Sequence, residues 1–146
     1  MSSYDVKKVV GKNLPQSTRR IEIKKTLDFA EIAKSTASDL GLAAADDASV
    51  FDLPGGFVFE RMDAISRTAE GEACTFDVGD AADPDGFGVD LSANVAAGSQ
   101  ISVGSPAYAG AKYFAAATTV LVTVNAAQPA LNVAKIDLIF VGYMAD

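Results

Sequence analysis

The side chains best suited to chemistry are a single thiol, Cys74, and a run of aspartates between Asp77 and Asp90. A thiol acts as nucleophile or metal ligand only as the thiolate, which a neighbouring cation or imidazole must stabilise. The 146-residue sequence contains no histidine and no tryptophan. That removes Ser-His-Asp and Cys-His triads, histidine-ligated zinc and the usual general base near neutral pH. Carboxylate or lysine catalysis would need two such groups in one pocket, and no spacing singles out a pair. The expectation is a protein with no catalytic residue, no cofactor and no metal, and not an enzyme. Cys74 alternates with Phe76 and Val78, which places it on the apolar face of a strand as a small buried hydrophobe. One cysteine forms no intramolecular disulfide, so packing must hold the fold, as suits synthesis in a reducing cytoplasm.

The acidic run, Asp77, Asp80, Asp83, Asp85 and Asp90, raises the question of calcium. Set against an EF-hand loop, Asp83, Asp85 and Gly86 match the third, fifth and sixth positions, but Ala81 and Ser92 occupy the first and twelfth. The main ligands are missing. Asp83-Pro84-Asp85-Gly86 also satisfies the steric demands of a tight turn, and the turn is the reading adopted.

Charge is divided along the chain. Residues 1–34 hold eight basic and four acidic side chains, a net +4, whereas residues 35–146 hold four basic and fifteen acidic, a net −11. A basic segment beside an acidic body points to an acidic target for the segment. Nucleic acid fits poorly, because the segment lacks arginine density and interleaved aromatics and the body would repel phosphate. No membrane association is expected, since every apolar stretch stops well short of the roughly 18–20 residues of a span. The opening residues carry charge where a secretory signal needs an apolar run, so export is not expected either. Protein is the favoured target. Residues 1–18 are read as an extended arm contacting another chain, through Tyr4, Lys7, Lys8, Val9, Val10, Lys12 and Leu14, with Arg19 and Arg20 at its root.

Strands must supply the frame. Ile21, Ile23, Leu27 and Phe29 share one parity and Glu22, Lys24, Thr26 and Asp28 the other, a half-buried strand. Residues 30–45 read as loop or one short helix, with Asp28 and Glu31 at capping-box spacing and Gly41 as its stop. Pro54-Gly55-Gly56 turns the chain between two strands. The mixed parity of 57–65 predicts a bulge or a strand buried on both faces. Further strands follow at 73–78, 99–103, 112–114 and 118–124, with a turn at 125–129. In the last, 134–144, Ile136, Leu138 and Phe140 oppose Lys135 and Asp137. Ile139, Val141 and Tyr143 make its outer side apolar too, which predicts a central strand or one covered by another strand or a sister subunit. About eight short strands at roughly ten-residue intervals predict an all-β, two-sheet antiparallel sandwich, jelly-roll-like, over residues 19–146.

The order of segments, Val50-Phe-Asp-Leu-Pro-Gly-Gly, then Thr75-Phe-Asp-Val-Gly-Asp with Asp83-Pro-Asp-Gly-Phe, then the C-terminal Ala134-Lys-Ile-Asp-Leu-Ile-Phe-Val-Gly-Tyr, resembles small virion proteins of tailed phages that decorate or cement the head. The resemblance covers residues 19–146. It implies a sandwich that forms homo-oligomers, often trimers, binds the major capsid protein on the outer head surface at junctions between capsomers, and is made in the host cytoplasm. The competing expectation is a receptor- or ligand-binding sandwich module of a phage tail or fibre. The lack of tryptophan argues against the sugar-stacking form of that alternative.

Overall fold

The computed structural model describes residues 20–35, 41–125 and 129–145. Among these residues, nine strands and one short helix follow in order: β1 (Ile21–Asp28), α1 (Phe29–Ala33), β2 (Asp47–Leu53), β3 (Phe57–Thr68), β4 (Thr75–Gly79), β5 (Gly88–Ser92), β6 (Gln100–Ile101), β7 (Lys112–Phe114), β8 (Thr118–Val124) and β9 (Lys135–Met144). They form two antiparallel sheets. The first has the order β1-β9-β3-β6, with β7 also pairing β3, and the second has the order β2-β8-β4-β5. The chain changes sheet at each of its first three connections, and its first and last strands lie side by side. This is the jelly-roll order.

The alternation read from sequence sets which side chains meet between the sheets. Leu27 from β1, Phe57 and Phe59 from β3, and Ile136, Leu138 and Phe140 from β9 are buried against Phe76 and Val78 from β4 and Val120, Val122 and Val124 from β8. Phe87, just before β5, joins the layers: its ring lies 4.8 Å from that of Phe59 and 5.2 Å from that of Phe140. Cys74 packs on the same core, its Sγ–H reaching the Pro129 carbonyl at 3.3 Å.

Local signals hold with two adjustments. Asp28 caps α1, its Oδ1 accepting from the Ala30 and Glu31 amides at 3.2 and 3.3 Å, but the helix ends at Ala33 rather than at Gly41. Gly41, at φ +106°, serves another purpose: a Cβ there would come within 2.6 Å of the Leu131 carbonyl oxygen, beside the Leu42–Leu131 bridge. The strand expected at 99–103 shrinks to β6, because Ser102 to Gly104 leave β3 to meet β5, where the Val89 amide donates to the Val103 carbonyl at 2.9 Å. In β3 the register shifts between Phe59 and Arg61, and Val58 is buried on the side facing away from the core, so both readings of 57–65 apply.

Candidate interaction surface

The outer face of the first sheet is built from the parity of β1, β9 and β3 that the core does not use. Pairing sets Glu22, Lys24 and Thr26 beside Val141, Ile139 and Asp137, with Arg61, Asp63 and Ile65 on the other side. Charges here neutralise one another. Arg20 binds Glu60 at 2.8 Å, Arg61 meets Asp63 at 3.4 Å, and Lys135 lies 3.7 Å from Asp28. Of the residues expected at an interface, Arg20 therefore sits exposed on this face, tied to β3. Tyr4, Lys7, Lys8, Val9, Val10, Lys12, Leu14 and Arg19 fall outside the described residues. Ile139, Val141 and Tyr143 line the middle of the face on β9, which is central in its sheet: Val141 is 1% exposed, Ile139 and Tyr143 half-buried. Val58 pairs with Tyr143 on one side and Tyr113 on the other, and Tyr113 is 55% exposed.

Asp137 departs from the sequence reading, which placed it with Lys135 on a polar side. It is 3% exposed. Thr26 Oγ1 donates to its Oδ1 at 2.6 Å, and Arg67 and Lys24 reach Oδ2 at 2.8 and 3.5 Å. Burial alone would raise its pKa, but the hydrogen bonds from Thr26 and Arg67 and the charges of Lys24 and Arg67 hold the carboxyl below the usual carboxylate range. With the folded value depressed below the unfolded one of about 3.9, the stabilisation is fully present above that pH and is lost as pH falls through the folded value. Asp137→Asn is therefore expected to cost about 1–2 kcal/mol at pH 7, a modest figure because Arg67 and Lys24 are largely solvated. Denaturant melts at pH 7 and pH 3 check this: the gap between variant and wild type should narrow at pH 3. A gap independent of pH would contradict the role assigned to the charge.

The outer face of the second sheet is different in kind. β2, β4, β5, β8 and the loop 80–87 contain Asp47, Asp52, Asp77, Asp80, Asp83, Asp85 and Asp90 but no lysine or arginine. Among the described residues none of their partners is a cation. Thr119 Oγ1 donates to Asp52 at 2.7 Å, Asn125 Nδ2 to Asp90 at 2.8 Å, and the Asp90 amide to Asp77 at 2.8 Å. Hydrogen bonds of this kind fix the carboxylates without cancelling their charge, so the face keeps a negative potential. The sequence arithmetic located an acidic body; only the sheet assignment shows that one layer carries the unneutralised part.

The run at 77–90 behaves as a turn. Asp80, 5% exposed, accepts from the Asp83 amide at 2.9 Å, Tyr108 Oη at 2.8 Å and Thr118 Oγ1 at 3.0 Å. Burial and the Asp80 carboxylate push the Tyr108 phenol above its ordinary value, so it stays a donor. Asp85, hydrogen-bonded to Asp83 and repelled by its charge, is raised. Among the described residues no group of three or more carboxylate or thiol side chains is placed to hold a metal ion. Burial, then the nearby Glu70 and Glu72, raise the Cys74 thiol, opposite to what a reactive thiolate needs.

No family model matches the chain, and no curated protein matches it. Among solved structures its fold is similar to a chain in the capsid asymmetric unit of cyanophage Pam1, with 18% identity, a TM-score of 0.57, and coverage of 86% of this chain and 85% of that one. At that identity the likeness speaks to the fold.

Proposed function

We propose that this chain is a structural protein of a tailed-phage head that binds the outer capsid surface and stabilises contacts between coat subunits, without catalytic activity. The observation that carries the reading is the division of charge: residues 1–34, which end in β1 and α1, carry a net +4, against a second sheet that presents aspartates with no cation among them. A fold shared with a chain of a phage capsid asymmetric unit supports placing that body on a particle. In this reading residues 1–18 run extended onto a neighbouring chain. Eighteen residues reach at most about 60 Å, enough to cross a small domain. Exposed ion pairs are worth at most about 1 kcal/mol each, so the apolar anchors of the arm supply affinity and its lysines supply register and salt sensitivity. Several copies seated side by side add avidity.

Deleting residues 1–18 is expected to leave the circular dichroism melt of the sandwich in place while lowering occupancy on heads, and wild-type protein should leave heads as salt rises. Cryo-electron microscopy of particles assembled with each form gives the occupancy. Full occupancy of the truncated form with unchanged salt resistance, or density on the tail instead of the head, would overturn the proposal.

A further inference from the structure

The two open sides of the sandwich are closed differently. On the β5 side, the Val89–Val103 backbone bond stitches the second sheet to the segment after β6. On the other side β1 and β2 are both edge strands, and among the described residues no backbone hydrogen bond joins them. Lys25 Nζ stands 5.5 Å from the Phe51 ring centroid, which places the two edges next to each other. Between their Asp28 and Ala48 ends lies a groove of about 320 Å³. Its floor is apolar, with Leu27, Ile32, Ala48 and Val50, and Asp28 and Glu31 line it on the side of α1. Asp47, exposed at the start of β2, makes no ion pair among the described residues.

We infer that this groove receives the Val6-Lys7-Lys8-Val9-Val10 stretch of a second copy of this chain, so that neighbouring copies are linked by their N-terminal segments. The inference takes from the proposed function only that the segment acts between chains. Three observations select this occupant. The groove is small, at the low end of binding-site volumes, and suits a few side chains of an extended segment rather than a folded surface. Asp28 and Glu31 already face Lys135 at 3.7 Å and Lys34 at 3.0 Å, so the charge that complements the lysines is that of Asp47, next to Ala48 of the lining. The apolar floor suits the paired valines, and an unpaired strand edge accepts extended backbone. The third is direction: β1 begins at Ile21 opposite Gly142, whereas the groove is flanked by Thr26 to Asp28 opposite Asp137 to Lys135. The segment thus joins the sheet at the far end of β1, about 20 Å from its own groove at roughly 3.3 Å per residue, and would have to reverse to fill it. The eleven to fifteen residues between the Val6–Val10 stretch and Ile21 span at most about 36–50 Å, enough to leave this sandwich for the groove of a copy seated beside it.

The test uses the full chain. Sedimentation over a concentration series should show self-association that Asp47→Lys weakens about tenfold, with partial recovery when Lys7→Glu and Lys8→Glu are added. Asp47 is exposed, so its variant keeps the fold, and the melt verifies this. Val9→Cys with Ser49→Cys, oxidised in a mixture of isotopically light and heavy protein, should give mixed-isotope disulfide-linked peptides. A chain that stays monomeric at all concentrations, association indifferent to Asp47→Lys, or a purely intrachain disulfide would overturn the inference. Head occupancy of the same variants separates the two ideas: protein that binds heads without self-associating sinks this inference alone, and self-association without head binding sinks the proposed function alone.

Discussion

Phe87→Ala is expected to lower the stability of the sandwich by about 3–5 kcal/mol, the range for removing a fully buried aromatic ring. The ring contributes no exposed surface, and while the Phe87 amide is bonded to β4 of the second sheet, the ring itself packs on the first. Phe59 and Phe140 come from β3 and β9 of the first sheet and meet it edge-on, at interplanar angles of 75° and 82°. Tyr108 and Phe114, at 5.2 and 5.7 Å, extend the cluster toward β7. Edge-to-face pairs add about 0.5–1.5 kcal/mol beyond area burial, so truncation loses several of these at once and leaves a void where the sheets are joined. Phe87→Leu should cost much less, since it keeps most of the volume. Urea titrations followed by far-ultraviolet dichroism compare the three proteins. A loss below about 1 kcal/mol for Phe87→Ala would mean that the aromatic cluster is not what holds the layers together.

Phe87 was within reach of sequence reasoning only as part of an acidic turn. The alternation that identifies β1, β4, β8 and β9 is a two-residue signal carried by contiguous side chains; β8 follows it throughout, while exposed Lys25 interrupts it in β1 and buried Asp137 and Val141 interrupt it in β9. Phe87 precedes β5, a strand of five residues holding Asp90 at φ +51°, and its inward orientation depends on its amide donating to the Val78 carbonyl. β6 and β7, of two and three residues, are shorter than the period needs to repeat. Buried carboxylates were the larger gap. Asp137 finds Thr26 and Arg67 at separations of 111 and 70 residues, so nothing near it in the chain distinguishes it from a solvated aspartate. The groove between β1 and β2 was illegible for a related reason: alternation tells which side of a strand is buried but not which strands end up at the edge of a sheet.

Glu70 is the most consequential of the residues that composition assigns to solvent. It is 6% exposed, at the end of β3's outgoing turn, and its Oε1 accepts from three successive amides, those of Asn132, Val133 and Ala134, at 3.1, 3.0 and 3.0 Å. Its own amide donates to the Ala93 carbonyl at 2.9 Å, so one residue ties the β3–β4 connection, the segment after β5 and the approach to β9. Three amides converging on one oxygen form a nest that favours negative charge. Glu70→Ala removes the acceptor from all three and is expected to cost about 2–4 kcal/mol, less than three full desolvation penalties because Val133 lies at the surface where water can reach its amide. Glu70→Gln keeps an oxygen in place and isolates the charge, with an expected cost of about 1 kcal/mol. Hydrogen exchange locates the effect: in Glu70→Ala the amides of Val133 and Ala134 should lose protection ahead of the rest of β9. Because Ala134 precedes the strand that carries Ile139, Val141 and Tyr143, loosening there would also disturb the outer face at its start, near Lys135 and Asp28. Equal stability of Glu70→Ala and wild type, with unchanged protection at Ala134, would show that the 132–134 segment is held by its packing alone.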